Sequence, residues 1–158
     1  MEQYCLNAIG VIKSDDKGMY IQLGSVYSPA VLGLYGFSHL QVLWWFSGCD
    51  NSEDRGVLRE SAPYVKGPPM LGTFATRSPR RPNPIALSCA EILHIDEMES
   101  TITLAYIDAQ DDTPVLDIKP YTPSLDRVEY PRMPSWCAHW PKSLEQSGEF
   151  NWEEEFNF

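Results

Sequence analysis

Apolar and polar residues alternate in several short runs along the chain. A period of two residues is typical of strands that bury one face, and it predicts short strands here. The run at 39–46 is mostly apolar and aromatic, and its length suits a buried strand, although a buried helix can have the same composition. The predicted strands are 7–13, 19–23, 39–46, 71–75, 84–95, 101–107 and 114–118. The polar turn at 96–100 favours an antiparallel pair of 84–95 with 101–107.

Proline restricts helices in this chain. Twelve of the 13 prolines follow residue 62, and five lie between residues 120 and 141. A proline inside a helix removes a hydrogen bond and clashes with the preceding turn, so few long helices are expected. The sequence predicts one short helix, from Pro141 to about Gln146, and a long irregular segment at 50–70. Together these features indicate an all-β sheet or barrel with long loops.

Composition narrows the class of protein. The chain has 158 residues, enough for one domain with its own core, and a net charge of -10 excludes a uniformly basic nucleic-acid binder. Its longest apolar run, at 42–46, is too short to span a membrane. No CxxC pair exists among Cys5, Cys49, Cys89 and Cys137, and no targeting segment is visible, so we expect reduced thiols and a cytoplasmic protein.

The segment at 72–88 carries the densest chemical signal. Arg77, Arg80 and Arg81 lie within five residues and make up three of only 12 basic residues. Prolines in the same turn stiffen it, so little entropy is lost when the guanidinium groups bind a carboxylate or phosphate. A surface loop paired with nearby carboxylates would have the same composition.

Acidic residues cluster in the next polar segment. Asp108, Asp111, Asp112 and Asp117 lie within ten residues, but the spacing lacks the glycine and terminal glutamate of a calcium loop. We therefore predict no metal site; the carboxylates would accept hydrogen bonds from ribose hydroxyls or an amino group, pair with the arginines, or stay solvated in a turn. His39 stands without a nucleophile motif and is interpreted as structural. Trp44, Trp45 and Phe46 suit a core or an interface, or stacking on a purine.

Three segments, in this order, resemble the TsaA-like (TrmO) family: GFSHLQVLWWF at 36–46, GTFATRSPRRPNPIALS at 72–88 and DAQDDTPVLDIKPY at 108–121. The resemblance implies a single-sheet β-barrel with long loops and about one short helix, assembled as a homodimer. It also implies binding of S-adenosylmethionine and methylation of N6 of threonylcarbamoyladenosine at position 37 of tRNA. On this basis we predict a barrel domain at 1–141, followed by a short helix and an acidic, aromatic tail at 142–158.

The resemblance further implies roles for single residues. The residues expected at the cofactor are Phe46, Ser47, Arg77, Leu87, Asp108, Ala109, Gln110 and Asp111. Those expected to contact tRNA, through a local arginine turn, or the carboxylate of the modified base are Arg80, Arg81, Asn83 and Lys119. No catalytic residue is assigned. The sequence departs from the family pattern at Ser47, where members often have histidine, and at Asp112, where they have glycine.

Two other functions stay open at this point. A methyltransferase of the same fold that acts on a small molecule is favoured by the acidic surface and by a segment at 15–30 that differs from the family. A non-catalytic module that binds S-adenosylmethionine or a nucleotide is favoured by Ser47 and Asp112, because both changes fall within family motifs.

Overall fold

The computed structural model of the protein describes residues 2–157. Its strands are β1 Gly10–Asp15, β2 Gly18–Leu23, β3 His39–Trp45, β4 Arg59–Ser61, β5 Met70–Gly72, β6 Ile85–Asp96, β7 Thr101–Leu104 and β8 Thr113–Pro120. The α-helices are α1 Ser52–Arg55, α2 Pro123–Asp126 and α3 Leu144–Gly148. Single 3-10 turns or short 3-10 helices lie at Ser25–Val31, Ser47–Cys49, Thr73–Ala75, Ser135–Cys137 and Trp152–Glu154.

Two compact units make up the chain. The first consists of Met1–Gly48 and Pro84–Arg127, and the second consists of Cys49–Asn83 and Val128–Phe158. The domain boundary predicted at residue 141 does not coincide with these units and stays a prediction. No helix among residues 2–157 is long and apolar enough to cross a membrane.

The first unit is a closed barrel with the strand order β1-β2-β7-β6-β3-β8, in which neighbouring strands are antiparallel. Alternate residues of each strand point inward, which explains the alternating pattern of the sequence. The barrel core includes Ile12, Ile21, Leu40, Val42 and Ile102, all fully buried. The prediction of an all-β barrel with few short helices is confirmed.

Glycine permits one close approach inside the barrel. A Cβ placed on Gly10 would lie 2.3 Å from the carbonyl oxygen of Gln22 and 2.9 Å from Cα of Leu23 on the neighbouring strand. Real Cβ atoms do not approach backbone this closely, so β1 and β2 can pair at this point only with glycine. The pairing of β1 with β2 therefore requires glycine at the first residue of β1.

Several predicted elements have other bounds than expected. The strand predicted at 7–13 is Gly10–Asp15, and the strand predicted at 101–107 ends at Leu104. The predicted strand at 71–75 is strand only at Met70–Gly72, because Thr73–Ala75 turns into a 3-10 helix. The predicted helix from Pro141 begins later, at Leu144, because the Ser143 hydroxyl accepts a hydrogen bond from the Gln146 amide at 3.4 Å and caps the helix there.

The second unit is held by aromatic rings. Its two-stranded sheet pairs β4 with β5, and an isolated bridge joins Tyr64 to Phe156. The rings in mutual contact are Tyr64, Trp136, Trp140, Phe150, Trp152 and Phe156. Glu155 lies buried beside this cluster and accepts hydrogen bonds from His139 Nε2 at 2.7 Å and Trp140 Nε1 at 3.1 Å. These two bonds lower the pKa of the Glu155 carboxyl below its usual value.

Candidate functional site

One end of the barrel gathers the predicted site segments of the first unit. Trp45 at the end of β3 pairs with Ile85 at the start of β6, and Trp44 pairs with Val115 near the start of β8. The loop at 105–112, which connects β7 to β8, opens from the same end because neighbouring strands alternate in direction. The topology therefore brings Phe46, Ser47 and the 108–111 loop to a common end of the barrel.

The 105–112 loop is fixed to the end of β1. The carboxylate of Asp111 accepts a hydrogen bond from the Ser14 amide at 2.9 Å and one from Lys13 Nζ at 3.1 Å. Asp112 accepts a third from Lys13 Nζ at 2.9 Å. The two carboxylates raise the pKa of Lys13 to about 12, and the Ser14 amide and Lys13 lower the pKa of Asp111. We call this arrangement of Lys13, Ser14, Asp111 and Asp112 the β1 clip.

Asp112 occupies a backbone position that favours glycine. Its φ is +61°, in the left-handed region, and the Thr113 amide closes the turn on the Gln110 carbonyl at 3.3 Å. Aspartate tolerates this conformation better than most residues with a side chain. The departure from the family glycine thus keeps the turn and adds a carboxylate that pairs with Lys13.

The end of β3 supplies an apolar wall. Trp44 is buried, its indole nitrogen donates to Ser88 Oγ at 3.0 Å, and its ring packs edge-on against Phe46 with centroids 4.5 Å apart. Trp44 is therefore a core residue, as one of the sequence interpretations proposed. The Phe46 amide donates to the Pro84 carbonyl at 2.8 Å, which ties the end of β3 to the approach of β6. Ser47 follows it and is exposed.

Leu87 lies on the outer face of the barrel. It pairs with Leu43 of β3 and is 45% exposed, whereas its neighbour Ala86 is buried in the core. An exposed leucine on a rigid strand offers apolar surface without contributing much to the barrel core.

The arginine turn belongs to the second unit and is internally braced. Arg81 donates from Nε to the Ser78 carbonyl at 2.6 Å and from Nη2 to the Thr76 carbonyl at 2.8 Å. Arg80 Nε donates to Asp54 at 2.8 Å, and the Ser78 hydroxyl donates to Glu60 at 2.8 Å. The Asp54 carboxylate raises the pKa of the Arg80 guanidinium.

The three arginines therefore differ in their partners and in their exposure to solvent. Arg81 binds carbonyls of its own turn, Arg80 is ion-paired with its side chain still 46% exposed, and Arg77 is exposed. A hydrogen bond from the Arg77 backbone reaches the Tyr64 hydroxyl, whose pKa is raised by burial. Arg77 is thus held at its backbone by the aromatic cluster of the same unit.

The remaining predicted residues lie at the surface. Asp108, Gln110, Asn83 and Lys119 are exposed, and Ala109 is half-buried and packs against the barrel core. Lys119 is ion-paired with Asp117 on its own strand. His39 begins β3, at the end of the barrel opposite Phe46, and its Nδ1 shares a hydrogen bond with Ser38 at 2.9 Å.

Sequence reasoning missed the bracing residues. Lys13 and Ser14 lie almost a hundred residues before Asp111, so no local pattern indicates the β1 clip. Asp54 and Glu60 sit in the segment predicted as irregular, where α1 and β4 place them against the arginine turn. None of the four cysteines takes part in a disulfide in the part of the chain that the structure describes.

Known proteins match this chain along most of its length. A probable S-adenosyl-L-methionine-binding protein of Methanocaldococcus jannaschii is 33% identical over 123 residues, which cover 78% of this chain and 96% of the relative. The tRNA (adenine(37)-N6)-methyltransferase of Escherichia coli is 37% identical over 123 residues, which cover 75% of this chain and 51% of that enzyme. The chain therefore spans nearly the whole archaeal relative but about half of the bacterial enzyme.

Solved structures share the fold. The crystal structure of TrmO from Pseudomonas aeruginosa superposes with a TM-score of 0.63 at 27% identity, over 83% of this chain and 62% of that one. A second TrmO crystal structure superposes with a TM-score of 0.65 at 28% identity, over 84% of this chain and 64% of that one. The family profile of the tRNA-methyltransferase O N-terminal domain matches residues 11–127, which contain the barrel strands and the arginine turn. The chain belongs to the tRNA-methyltransferase O N-terminal domain family.

Proposed function

We propose that the protein is an S-adenosylmethionine-dependent methyltransferase that modifies N6 of adenosine 37 in tRNA. The observation that carries the proposal is the family match over residues 11–127, within which Phe46, Ser47 and the 108–111 loop meet at one end of the barrel. Relatives named as S-adenosyl-L-methionine-binding proteins and as a tRNA (adenine(37)-N6)-methyltransferase support the cofactor and the acceptor.

The residues of the first unit fit the chemistry of this cofactor. Phe46 and Leu87 offer apolar surface to the adenine or to the methionine chain, and the exposed carboxylate of Asp108 suits ribose hydroxyls. Ala109, Gln110 and Asp111 would contribute backbone groups, because the Asp111 carboxylate is already engaged by Ser14 and Lys13. Ser47 adds an exposed hydroxyl at the end of β3.

In the second unit, Arg77 is the proposed contact for a carboxylate of the ligand. A guanidinium group donates two parallel hydrogen bonds to a carboxylate, and the backbone of Arg77 is already ordered by Tyr64. Less entropy is therefore lost on binding than for an arginine in a loose loop.

Methyl transfer depends on alignment. When bound, S-adenosylmethionine would supply a methyl group on a positively charged sulfur: the nitrogen–carbon bond forms as the carbon–sulfur bond breaks, the sulfur leaves as a neutral thioether, and the proton of N6 is released to solvent. The chain's proposed contribution is to order the residues that would hold the donor. The β1 clip ties the 105–112 loop to β1, and the Phe46–Pro84 hydrogen bond ties the end of β3 to the approach of β6. Positioning of this kind is a large part of the catalysis of a two-reactant step.

We propose threonylcarbamoyladenosine as the modified nucleoside, since it carries a carboxylate that arginine recognises. Arg80, Asn83 and Lys119 are exposed and are the proposed contacts to this carboxylate or to the tRNA backbone. Arg81 would act indirectly, because its hydrogen bonds fix the carbonyls of the turn. The chain as a whole is acidic, so the positive charge that would attract the RNA is the local charge of this arginine turn.

We also propose a homodimer and a cytoplasmic location. The location suits a tRNA enzyme whose four cysteines form no disulfide among the described residues. Sedimentation equilibrium tests the first: a mass near 36 kDa, twice the 18.0 kDa of the chain, supports it, and a mass of one chain at all concentrations contradicts it.

Calorimetry with S-adenosylmethionine tests the cofactor. Arg77→Ala should weaken binding by about tenfold or more, the usual effect of losing a charge-assisted hydrogen bond, and Arg132→Ala, at another exposed arginine, should not. Absence of binding by the wild-type protein would refute the cofactor assignment. Mass spectrometry of tRNA from cells lacking the gene tests the acceptor: an unchanged level of the methylated nucleoside would refute it.

A non-catalytic S-adenosylmethionine-binding module is the second candidate. The names of the archaeal relatives and the replacement of the family histidine by Ser47 favour it. Formation of S-adenosylhomocysteine with an unmodified or threonylcarbamoylated tRNA acceptor separates the two: turnover supports the enzyme, and tight cofactor binding without turnover supports the module.

A further inference from the structure

Phe74 is a large aromatic side chain that the second unit presents to solvent. Its side chain is 82% exposed, although it lies in the middle of the 3-10 turn Thr73–Ala75. Within the part of the chain that the structure describes, no aromatic ring packs against it. An aromatic ring exposed on an ordered turn offers a flat apolar face that a ligand can cover.

The turn that carries Phe74 is fixed on both sides. Thr73 before it is buried, with its amide donating to the Leu58 carbonyl at 3.1 Å and its hydroxyl to the Val57 carbonyl at 2.9 Å. Thr76 after it is also buried and donates to the Thr73 carbonyl from both its amide, at 3.0 Å, and its hydroxyl, at 2.8 Å. The backbone on both sides of Phe74 is therefore ordered by this network.

Arg81 also stabilises the turn that carries Phe74. Its guanidinium group donates to the Thr76 carbonyl and lies 3.5 Å from the Thr73 carbonyl, so it holds the residues that flank Phe74. Because the backbone of this turn is already ordered, stacking of a flat ligand on Phe74 would restrict only the side-chain torsions of the ring.

Charge around Phe74 favours an anionic ligand. Residues 61–90 contain no aspartate and no glutamate but include Lys66, Arg77, Arg80 and Arg81, in a chain whose net charge is -10. Asp54, Glu60 and Glu155 contact this stretch from other segments, and they neutralise part of its charge, Glu155 through an ion pair with Lys66. Phe74 thus lies three residues from Arg77 in the most basic part of an acidic chain.

We propose that Phe74 is a stacking platform for an unpaired nucleobase of the RNA substrate. The inference rests on the proposed function and deepens it, since it names how the second unit would hold the RNA. Single-stranded bases stack on exposed aromatic rings next to cationic side chains, because every base has a flat π face and every nucleotide a phosphate. Such a contact requires bases that are splayed from a helix, as they are in the loop of an anticodon arm.

The test measures binding of two RNAs to four proteins by fluorescence anisotropy. The RNAs are an anticodon stem–loop with 2-aminopurine in the loop and a fully paired duplex of equal length. The proteins are the wild type, Phe74→Ala, Phe74→Trp and Tyr130→Ala, the last a control at a tyrosine that is 83% exposed. Calorimetry with S-adenosylmethionine on each variant reports whether the cofactor site is intact.

Phe74→Ala should weaken binding of the stem–loop by about 5- to 150-fold, the usual loss per stacked base. Phe74→Trp should bind within about twofold of the wild type or more tightly, since indole stacks at least as well. The change in 2-aminopurine fluorescence that accompanies binding to the wild type should be lost in Phe74→Ala, and duplex binding and cofactor affinity should not change. Tyr130→Ala should behave as the wild type.

Three outcomes would overturn the inference. Wild-type affinity of Phe74→Ala for the stem–loop would show that the ring does not contact RNA while leaving the proposed function intact. Equal losses for loop and duplex would indicate an electrostatic or folding effect instead of stacking. A wild-type protein that binds S-adenosylmethionine but no stem–loop would refute the RNA substrate itself, and the stacking role with it.

Discussion

Two leucines on neighbouring strands of the barrel offer a quantitative test of the fold and the candidate site together. Leu40 of β3 is fully buried in the core, and Leu87 of β6 is 45% exposed on the outer face. Truncating a fully buried leucine to alanine costs about 2.7–5.0 kcal/mol of folding free energy, because it removes buried methyl groups and leaves a cavity. We expect Leu40→Ala to fall in this range.

The same truncation at Leu87 should cost far less. Alanine lacks three carbons of leucine, each worth about 0.8 kcal/mol when fully buried, so a side chain near half exposure loses roughly 1 kcal/mol and leaves no closed cavity. Its effect should appear instead in the affinity for S-adenosylmethionine, with a loss on the order of tenfold if the cofactor covers the exposed half.

Urea unfolding followed by far-ultraviolet circular dichroism measures both stabilities. With a slope of about 1–3 kcal/mol/M, Leu40→Ala should lower the midpoint by about 1–5 M and Leu87→Ala by about 0.3–1 M. At a common slope, the shift for Leu40→Ala should be about three to five times that for Leu87→Ala. Calorimetry on the folded variants completes the comparison. Leu40→Ala should bind S-adenosylmethionine with wild-type affinity under conditions in which it is folded.

Equal destabilisation by the two substitutions would refute the inward and outward orientations assigned to β3 and β6. A cost below about 1 kcal/mol for Leu40→Ala would refute the closed, fully packed barrel core. Unchanged cofactor affinity in Leu87→Ala would remove Leu87 from the proposed site while leaving the barrel as described.

Three further predictions concern the clip, the buried carboxylate and the tight glycine. Asp111→Asn keeps an acceptor for the Ser14 amide but loses the charge that pairs with Lys13, so hydrogen exchange of the 105–112 amides should accelerate while the circular dichroism melt changes little; unaltered exchange would contradict the clip. The pKa of the Glu155 carboxyl is lowered in the folded protein, so the stability that this carboxylate contributes is present above its usual value of 4.5 and is lost as the pH falls through the lower folded value. Tryptophan fluorescence during acid titration should show a transition that Glu155→Gln alters. Identical titrations of the wild type and Glu155→Gln would contradict this prediction. Gly10→Ala should destabilise the barrel by about 1–3 kcal/mol or prevent folding, because the added Cβ would meet the backbone of β2. Gly48→Ala is the control: open space surrounds Gly48, so this variant should unfold in urea as the wild type does. Equal urea midpoints for the two variants would contradict the close approach at Gly10.

Local sequence patterns predict the barrel strands well because each strand buries alternate residues. Thr101–Leu104 and Gly18–Leu23 are examples in which the alternation alone places the strand to within a few residues. The pattern fails at Thr73–Ala75, where an apolar residue in strand-like sequence is exposed, because backbone and hydroxyl bonds of the flanking threonines bend the chain. It also fails at the helix that was predicted from Pro141, where the Ser143 cap decides the first turn.

The candidate site is predictable only in part, for a different reason. Phe46, Arg77 and the 108–111 loop could be proposed for the site from motif resemblance, because these residues lie within continuous segments. The partners that hold them in place come from distant parts of the chain: Lys13 and Ser14 for the loop, and Tyr64 for the backbone of Arg77. Such pairs depend on the closed order of strands and on the packing of the aromatic cluster, and a single sequence does not encode them as a local pattern.

Closure of the barrel has a consequence for self-association. In a closed ring of strands every strand has a hydrogen-bonded neighbour on both sides, so the six barrel strands offer no continuous unpaired edge on which another chain could add a strand. Two copies of this unit can therefore meet only through side chains on its outer surface or through its loops. The two-stranded β4–β5 sheet is different, because each of its strands has one unpaired side. Each of these strands has three residues, a length that limits strand addition and so guards the protein against edge-to-edge aggregation.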